Sequence, residues 1–167
     1  MVIDDNKAMK LCPCGFLGDH RNRCNCTERE IKRYTGKISG PLLDRIDIHL
    51  LTQHLEFREL NSRERGEESA VIRKRVDRAR EIQLDRYRDS KNIHCNAHMA
   101  SNHIEKYCKL DISSKNLLHR SVDRLGLSAR AYHRILKVAR TIADLDQKSV
   151  IDKKHLAEAI QLSRKII

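Results

Sequence analysis

The apolar positions of this chain fall into two regimes that meet near residue 66. Beyond it they recur every three to four residues, the spacing that lines one face of an α-helix. Ile72, Val76, Ala79 and Tyr87, with Gln83 in the same stripe, predict a long helix over 67–88. Leu117, Leu118, Val122 and Leu125 predict a second over 114–125. Ser113 is its expected cap, and Gly126 tolerates the left-handed conformation that ends a helix. Ser128 caps a third helix over 129–146, with Ala131, Ile135, Val138, Ala139, Ile142 and Leu145 as its stripe. Asp152 caps a last helix that turns Leu156, Ala159 and Ile160 inward. Residues 89–103 are polar and read as a loop.

Before residue 66 the pattern changes. Residues 11–26 have no period and hold four cysteines and two glycines, which predicts an irregular loop. Thr27-Glu28-Arg29-Glu30 has the form of a capping box and opens a helix that runs to about Tyr34. Pro41 suits the first turn of a short helix over 41–45. Ile46-Asp47-Ile48-His49-Leu50-Leu51 alternates and predicts the one convincing strand of the chain. Residues 52–66 are a polar linker. A lone strand has no sheet to join. Residues 1–51 therefore read as the end of something larger, and 67–167 as a helical bundle. The expected fold class is mainly α.

Charge narrows the range of partners. Lys and Arg number 34 against 23 Asp and Glu, a net charge of +11. Such an excess suits a polyanion, nucleic acid or nucleotide phosphate, and equally suits a helical protein with basic solvated faces. Aromatic residues are 4% of the chain and Trp is absent, so DNA contact is expected through the backbone and not by base stacking. No apolar run approaches the roughly 20 residues of a membrane span, and Met1 to Asn6 has no signal-peptide character. A cytoplasmic protein with no membrane partner is expected, its cysteines reduced or metal-bound.

Three features carry candidate chemistry. Cys12-Pro13-Cys14-Gly15 and Cys24-Asn25-Cys26 place two close thiol pairs at the ends of a nine-residue loop. Four thiolates so placed can close a tetrahedral zinc site, with Gly15 and Gly18 permitting the turns and His20 able to replace a cysteine. Reduced thiols or a disulfide are the alternatives. Cys95 and Cys108 read as ordinary buried thiols. Arg45 stands between Asp44 and Asp47, where it can pair with them or present its fork of donors to a phosphate. Arg130 lies in the first turn of its helix, where it can be solvated, pair with Asp123, or reach a nucleotide phosphate across a cleft. The sequence has no G-x-x-x-x-G-K-[ST] loop, and Gly36-Lys37-Ile38 lacks both the upstream glycine and the hydroxyl.

Taken together, several segments resemble the C-terminal part of magnesium-chelatase-like AAA+ ATPases of the competence-protein ComM (YifB) type. They are the two cysteine pairs, Arg33-Tyr34 with Lys37 through Ile48, Ser69 through Arg86, Asn96-Ala97, and Leu127 through Leu145. The resemblance runs over roughly residues 11–163. It implies that residues to about 51 are the tail of an AAA+ α/β core and that residues from 67 are the helical lid. It implies that Arg45 is an arginine finger acting in trans on a neighbour's ATP. It implies that Arg130 is the sensor-2 arginine that touches nucleotide from the lid. It further implies homo-hexameric rings, ATP with Mg2+ as cofactor of the intact assembly, and DNA helicase or branch-migration activity in natural transformation.

The chain departs from that pattern at Met9-Lys10-Leu11, where the family has Met-Asn-Pro, so Lys10 takes the place of the sensor-1 asparagine. Residues 1–8 are no apolar strand. The expectation is therefore a C-terminal fragment that is not an enzyme alone and that works with an ATPase core of the same family. The alternative is a stand-alone, zinc-stabilised DNA-binding or regulatory module without ATPase activity.

Overall fold

The structure is a computed structural model that describes residues 9–19, 21–52 and 66–164. Among them, seven helices form and no strand does. In chain order they are α1 (Glu28–Thr35), α2 (Gly40–Leu43), α3 (Ser69–Arg86), α4 (Ser101–Tyr107), α5 (Ile112–Leu125), α6 (Ala129–Leu145) and α7 (Lys153–Leu162). A single 3₁₀ turn, Asn96–His98, precedes α4. None of the described helices is long and apolar enough to cross a membrane. The architecture is mainly α, as the periodicity requires.

Local chemistry starts most helices where the sequence says. Thr27 and Glu30 form the reciprocal capping box of α1, with the Thr27 amide donating to Glu30 Oε2 at 2.8 Å. Ser39 caps α2, Ser128 caps α6 through the Ala131 amide, and Gly126 closes α5 at φ +58°. Asp152 occupies the N-cap of α7, where its amide donates to His155 Nδ1 at 3.0 Å. Because Nδ1 accepts, the imidazole proton sits on Nε2, 3.1 Å from Asp146.

Four local expectations need correction. Asp111, not Ser113, caps α5: its carboxylate accepts from the Ser114 amide at 2.7 Å, so the helix starts two residues earlier than expected. Residues 89–103 are not all loop, for they hold the 3₁₀ turn and the start of α4, and the mixed composition of this stretch hides buried Met99, just after the turn, and Ile104 within α4. Residues 46–51 form no strand among the described residues. The segment is instead tied to the bundle by separate hydrogen bonds, from Arg134 Nη1 to the Ile46 carbonyl at 2.8 Å and from the His49 amide to the Leu162 carbonyl at 2.7 Å, and no ladder partner lies beside it among the described residues. The predicted stripe of α3 is buried only at its C-terminal half: Ala79, Gln83 and Tyr87 are buried, whereas Ile72 and Val76 are exposed. The linker expected over 52–66 falls largely outside the described residues.

The core sits around α6, which packs against α7, α3, α4 and the 3₁₀ turn, while α5 covers α7. Leu118, Ile135, Leu136, Ala139, Ala143, Leu156 and Ala159 form its centre. A polar network runs through this apolar cluster. Asp144 is fully buried and accepts from Arg86 Nη1 at 2.7 Å and from Arg140 Nε at 3.1 Å. Asn96 Nδ2 donates to the same carboxylate at 2.8 Å and to Thr141 Oγ1 at 3.0 Å. Asn96 Oδ1 in turn accepts from Arg86 and from the Tyr87 hydroxyl, and its amide donates to Gln83. Burial works against the Arg86 cation, but Asp144 outweighs it and raises the guanidinium above its usual value.

A buried charge left without its partner is strongly destabilising. Asp144→Asn keeps the side-chain volume but leaves two guanidiniums without an anion. It should cost about 3–5 kcal/mol of unfolding free energy, measured as a lowered urea midpoint of the whole chain.

Candidate functional site

The cysteine loop precedes α1 and is shaped by glycine. Gly15 and Gly18 lie at φ +84° and +81°, a region an L side chain rarely adopts, and they fold the chain back between the two thiol pairs. The Gly15 amide donates to the Cys12 carbonyl, and Asp19 accepts from the Arg21 and Asn22 amides, so the excursion between the pairs is tied to itself. The result brings Cys12, Cys14, Cys24 and Cys26 together, all four Sγ atoms within 4.8 Å of one another. Individual separations are 3.4 Å for Cys12–Cys14, 3.5 Å for Cys14–Cys24 and 3.7 Å for Cys12–Cys24. No disulfide links them.

Their proton affinities diverge. The Phe16 backbone amide is the main cause that draws Cys14 down to about 6. The Cys14 amide favours the Cys26 thiolate in the same way, but the neighbouring thiols, Cys14 first, together with burial, push Cys26 up to about 12. Crowded thiols cannot all ionise unaided, and a cation among them removes that conflict. Four sulfur donors converging with one fully buried member, Cys12, can hold a metal ion. His20 lies outside the described residues. Of the other two cysteines, Cys108 is buried, with its thiol pushed up to about 11 by burial, while Cys95 is only half-buried.

Arg45 follows α2 directly. Its amide bonds to the Leu42 carbonyl at 2.9 Å, continuing the turn. Its side chain is exposed and makes no ion pair with Asp44 or Asp47. The backbone on either side is fixed from a distance: buried Arg134 of α6 donates through one nitrogen, Nη1, to the Asp44 carbonyl at 3.0 Å and the Ile46 carbonyl at 2.8 Å. The two bonds straddle Arg45 and tie its peptide to the central helix of the bundle. Arg130 lies one turn earlier on that helix, also exposed and without an ion pair to Asp123. The arginines named from sequence are thus carried on one framework, with Arg134 as the connecting group.

Arg134 was not singled out by sequence reasoning as a separate feature. The i,i+4 spacing from Arg130 is visible in the sequence, but its carbonyl partners lie 88 and 90 residues away. Lys137, one turn further along, donates to the Ala97 carbonyl at 2.9 Å. Burial lowers its proton affinity, and Asp47 counters that effect.

Comparison with known proteins gives a consistent family. Residues 66–163 match the family described as magnesium chelatase, subunit ChlI C-terminal, and residues 6–60 match magnesium chelatase, subunit ChlI. The chain is 42% identical over 154 residues to the Competence protein ComM of Haemophilus influenzae, covering 92% of this chain and 29% of that protein. It is 39% identical over 162 residues to the uncharacterized protein YifB of Salmonella typhimurium, with the same shares. It is 33% identical over 138 residues to the uncharacterized protein Mb2921c of Mycobacterium bovis, covering 83% of this chain and 27% of that one. The chain therefore spans less than a third of the length of these relatives.

Titration of the reduced protein with Co2+ should produce intense thiolate-to-metal absorption that saturates at one ion per chain. Cys12→Ser with Cys24→Ser should abolish it, and ultraviolet–visible spectroscopy reads both.

Proposed function

This chain belongs to the magnesium chelatase subunit ChlI family, and from that premise we propose that it is the arginine-bearing tail and helical lid of an AAA+ ATPase that remodels DNA. The intact protein assembles as a homo-hexameric ring in the cytoplasm and uses ATP with Mg2+. Arg45 serves as the finger that reaches a neighbour's ATP, and Arg130 touches the nucleotide from the lid. The chain does not hydrolyse ATP by itself, since no phosphate-binding loop of the G-x-x-x-x-G-K-[ST] form occurs in it.

One observation carries this reading: the pair of hydrogen bonds from Arg134 Nη1 that braces the peptide of Arg45, whose side chain is exposed and makes no ion pair among the described residues. An arginine that stabilises charge on a transferring phosphoryl must be presented without an internal partner and held in place. A guanidinium neutralised by Asp44 or Asp47 would be unsuited to that role. The bond also links lid to finger, because Arg134 and Arg130 share α6. A shift of the lid on nucleotide binding is then transmitted to the peptide that bears Arg45.

The four-cysteine loop supports a structural zinc ion. Zn–S bonds of about 2.3 Å in a tetrahedron set S···S edges of about 3.8 Å. The separations among Cys12, Cys14 and Cys24, 3.4 to 3.7 Å, lie slightly inside that edge length, so small outward shifts of these three admit the ion. Zinc would supply a cross-link for a loop that has few buried side chains. The thiol set needs no residue from the helical bundle, which favours, as a second reading, a stand-alone zinc-stabilised module that binds DNA or regulates an intact paralogue.

In the full-length protein, Arg45→Ala should lower ATP turnover by about a thousandfold or more while the ring still assembles. Arg134→Ala should lower it less, by loosening the same peptide. Steady-state ATPase assays beside size-exclusion chromatography check both, and unchanged turnover in Arg45→Ala would sink the finger assignment and leave the module reading.

A further inference from the structure

A second basic site lies away from Arg45, Arg130 and the cysteine loop. The C-terminal ends of α3 and α4, the middle of α6 and the turn after it enclose a cleft of about 230 Å³. Arg86, Arg140, Lys106 and Lys109 line it, together with Tyr107 and Ser149. Four cationic side chains from three elements meet here. Among the described residues the one carboxylate bonded to any of them is Asp144, which lies buried and accepts from the two arginines. The cleft therefore carries an excess of three positive charges.

The donors of these groups are not exhausted. A guanidinium has five N–H groups. Arg86 commits Nη1 and Nη2 to Asp144 and Asn96, and its Nε makes no hydrogen bond among the described residues. Arg140 gives Nε to Asp144, Nη1 to the Ser149 carbonyl at 2.8 Å and Nη2 to the Lys148 carbonyl, so each terminal nitrogen keeps one N–H. The Lys106 ammonium lies 4.9 Å from the centre of the Tyr107 ring, and the Arg86 guanidinium 6.0 Å from it. The ring thus lies within reach of two of the cations. Lys106 and Lys109 are exposed, so their ammonium groups are free to swing over the opening.

Like charges gathered this closely repel one another, and an anion relieves that repulsion. The space of about 230 Å³ between these side chains accommodates one tetrahedral anion. We propose that the cleft is a phosphate-binding site that takes a single phosphate group, either a backbone phosphodiester of nucleic acid or free orthophosphate. Arg86 and the largely buried Arg140 line its floor, and Lys106 and Lys109 close over it as mobile point charges. Asp144 fixes the planes of the two guanidiniums, so the donors are oriented before the anion arrives. Arg140 is ten residues beyond Arg130 on α6, about 15 Å along the helix axis, so the site does not depend on the nucleotide roles proposed above.

The test is two-dimensional NMR on the whole chain, following the arginine Nε–H and backbone amide signals. The probes are inorganic phosphate and a short double-stranded DNA, each at low salt. Saturable shifts are expected at Arg86, Arg140 and Ser149. The double variant Lys106→Ala/Lys109→Ala should weaken binding by roughly tenfold. Both lysines are exposed, so the fold should persist, and Lys115→Ala on α5 should leave the affinity unchanged. DNA that displaces phosphate from these signals identifies the backbone as the source, while phosphate shifts that DNA does not compete identify the free anion. Absence of shifts at Arg86 and Arg140 with both probes, or equal affinity in the double variant, overturns the proposal.

Discussion

The buried carboxylate of Asp144 is the interaction around which the bundle is organised. Two guanidiniums and one carboxamide converge on it from α3, from α6 itself and from the 3₁₀ turn. Hydrophobic burial is non-directional and would allow these elements to slide past one another. Charged hydrogen bonds in a dry interior have fixed geometry, and breaking one leaves a charge uncompensated. The network therefore sets how α3 crosses α6, and it places Asn96 so that the start of α4 follows. Its cost is a cationic excess at the surface above Arg86 and Arg140, which is where the cleft forms.

The same helix supports the arginine site by different means. At Arg134 the acceptors are main-chain carbonyls, so no counter-charge is brought in. A guanidinium that braces a peptide in this way leaves the adjacent Arg45 side chain electrostatically unsatisfied and exposed. Had Asp44 and Asp47 paired with Arg45, the segment would be just as fixed, but its charge would be spent. Along α6, then, Arg130 faces outward, Arg134 braces a neighbouring segment and Arg140 joins the buried network. One helix with a strong apolar stripe distributes three arginines among three environments.

The cysteine loop obeys a separate logic. Its order comes from two positive-φ glycines, an aspartate-capped turn and four crowded thiols, with Cys12 the one fully buried thiol among them. Thiols at these distances differ widely in proton affinity, as Cys14 and Cys26 do. Their four sulfurs lie close enough to hold one metal ion, which would remove that imbalance.

The sequence by itself determined whatever depends on neighbours a few residues apart. Helical stripes, the Thr27–Glu30 capping box, the Ser128 cap, the Gly126 terminus and the convergence of Cys12, Cys14, Cys24 and Cys26 are all local, because chain geometry over a short span leaves few alternatives. It misplaced what depends on distant partners. The alternating residues 46–51 read as a strand, yet a strand exists only where a second one supplies its ladder, and none does among the described residues. Ile72 and Val76 read as core, yet a stripe is buried only where another element covers it. Asp111, two residues before Ser113, took the cap because its carboxylate reaches the free Ser114 amide. The tertiary structure alone decided that Arg86, Asn96, Arg140 and Asp144 share one carboxylate, that Arg134 reaches back some 90 residues, and that four cations line one cleft. Those pairings are set by three-dimensional packing, which brings together residues whose separation along the chain carries no signal.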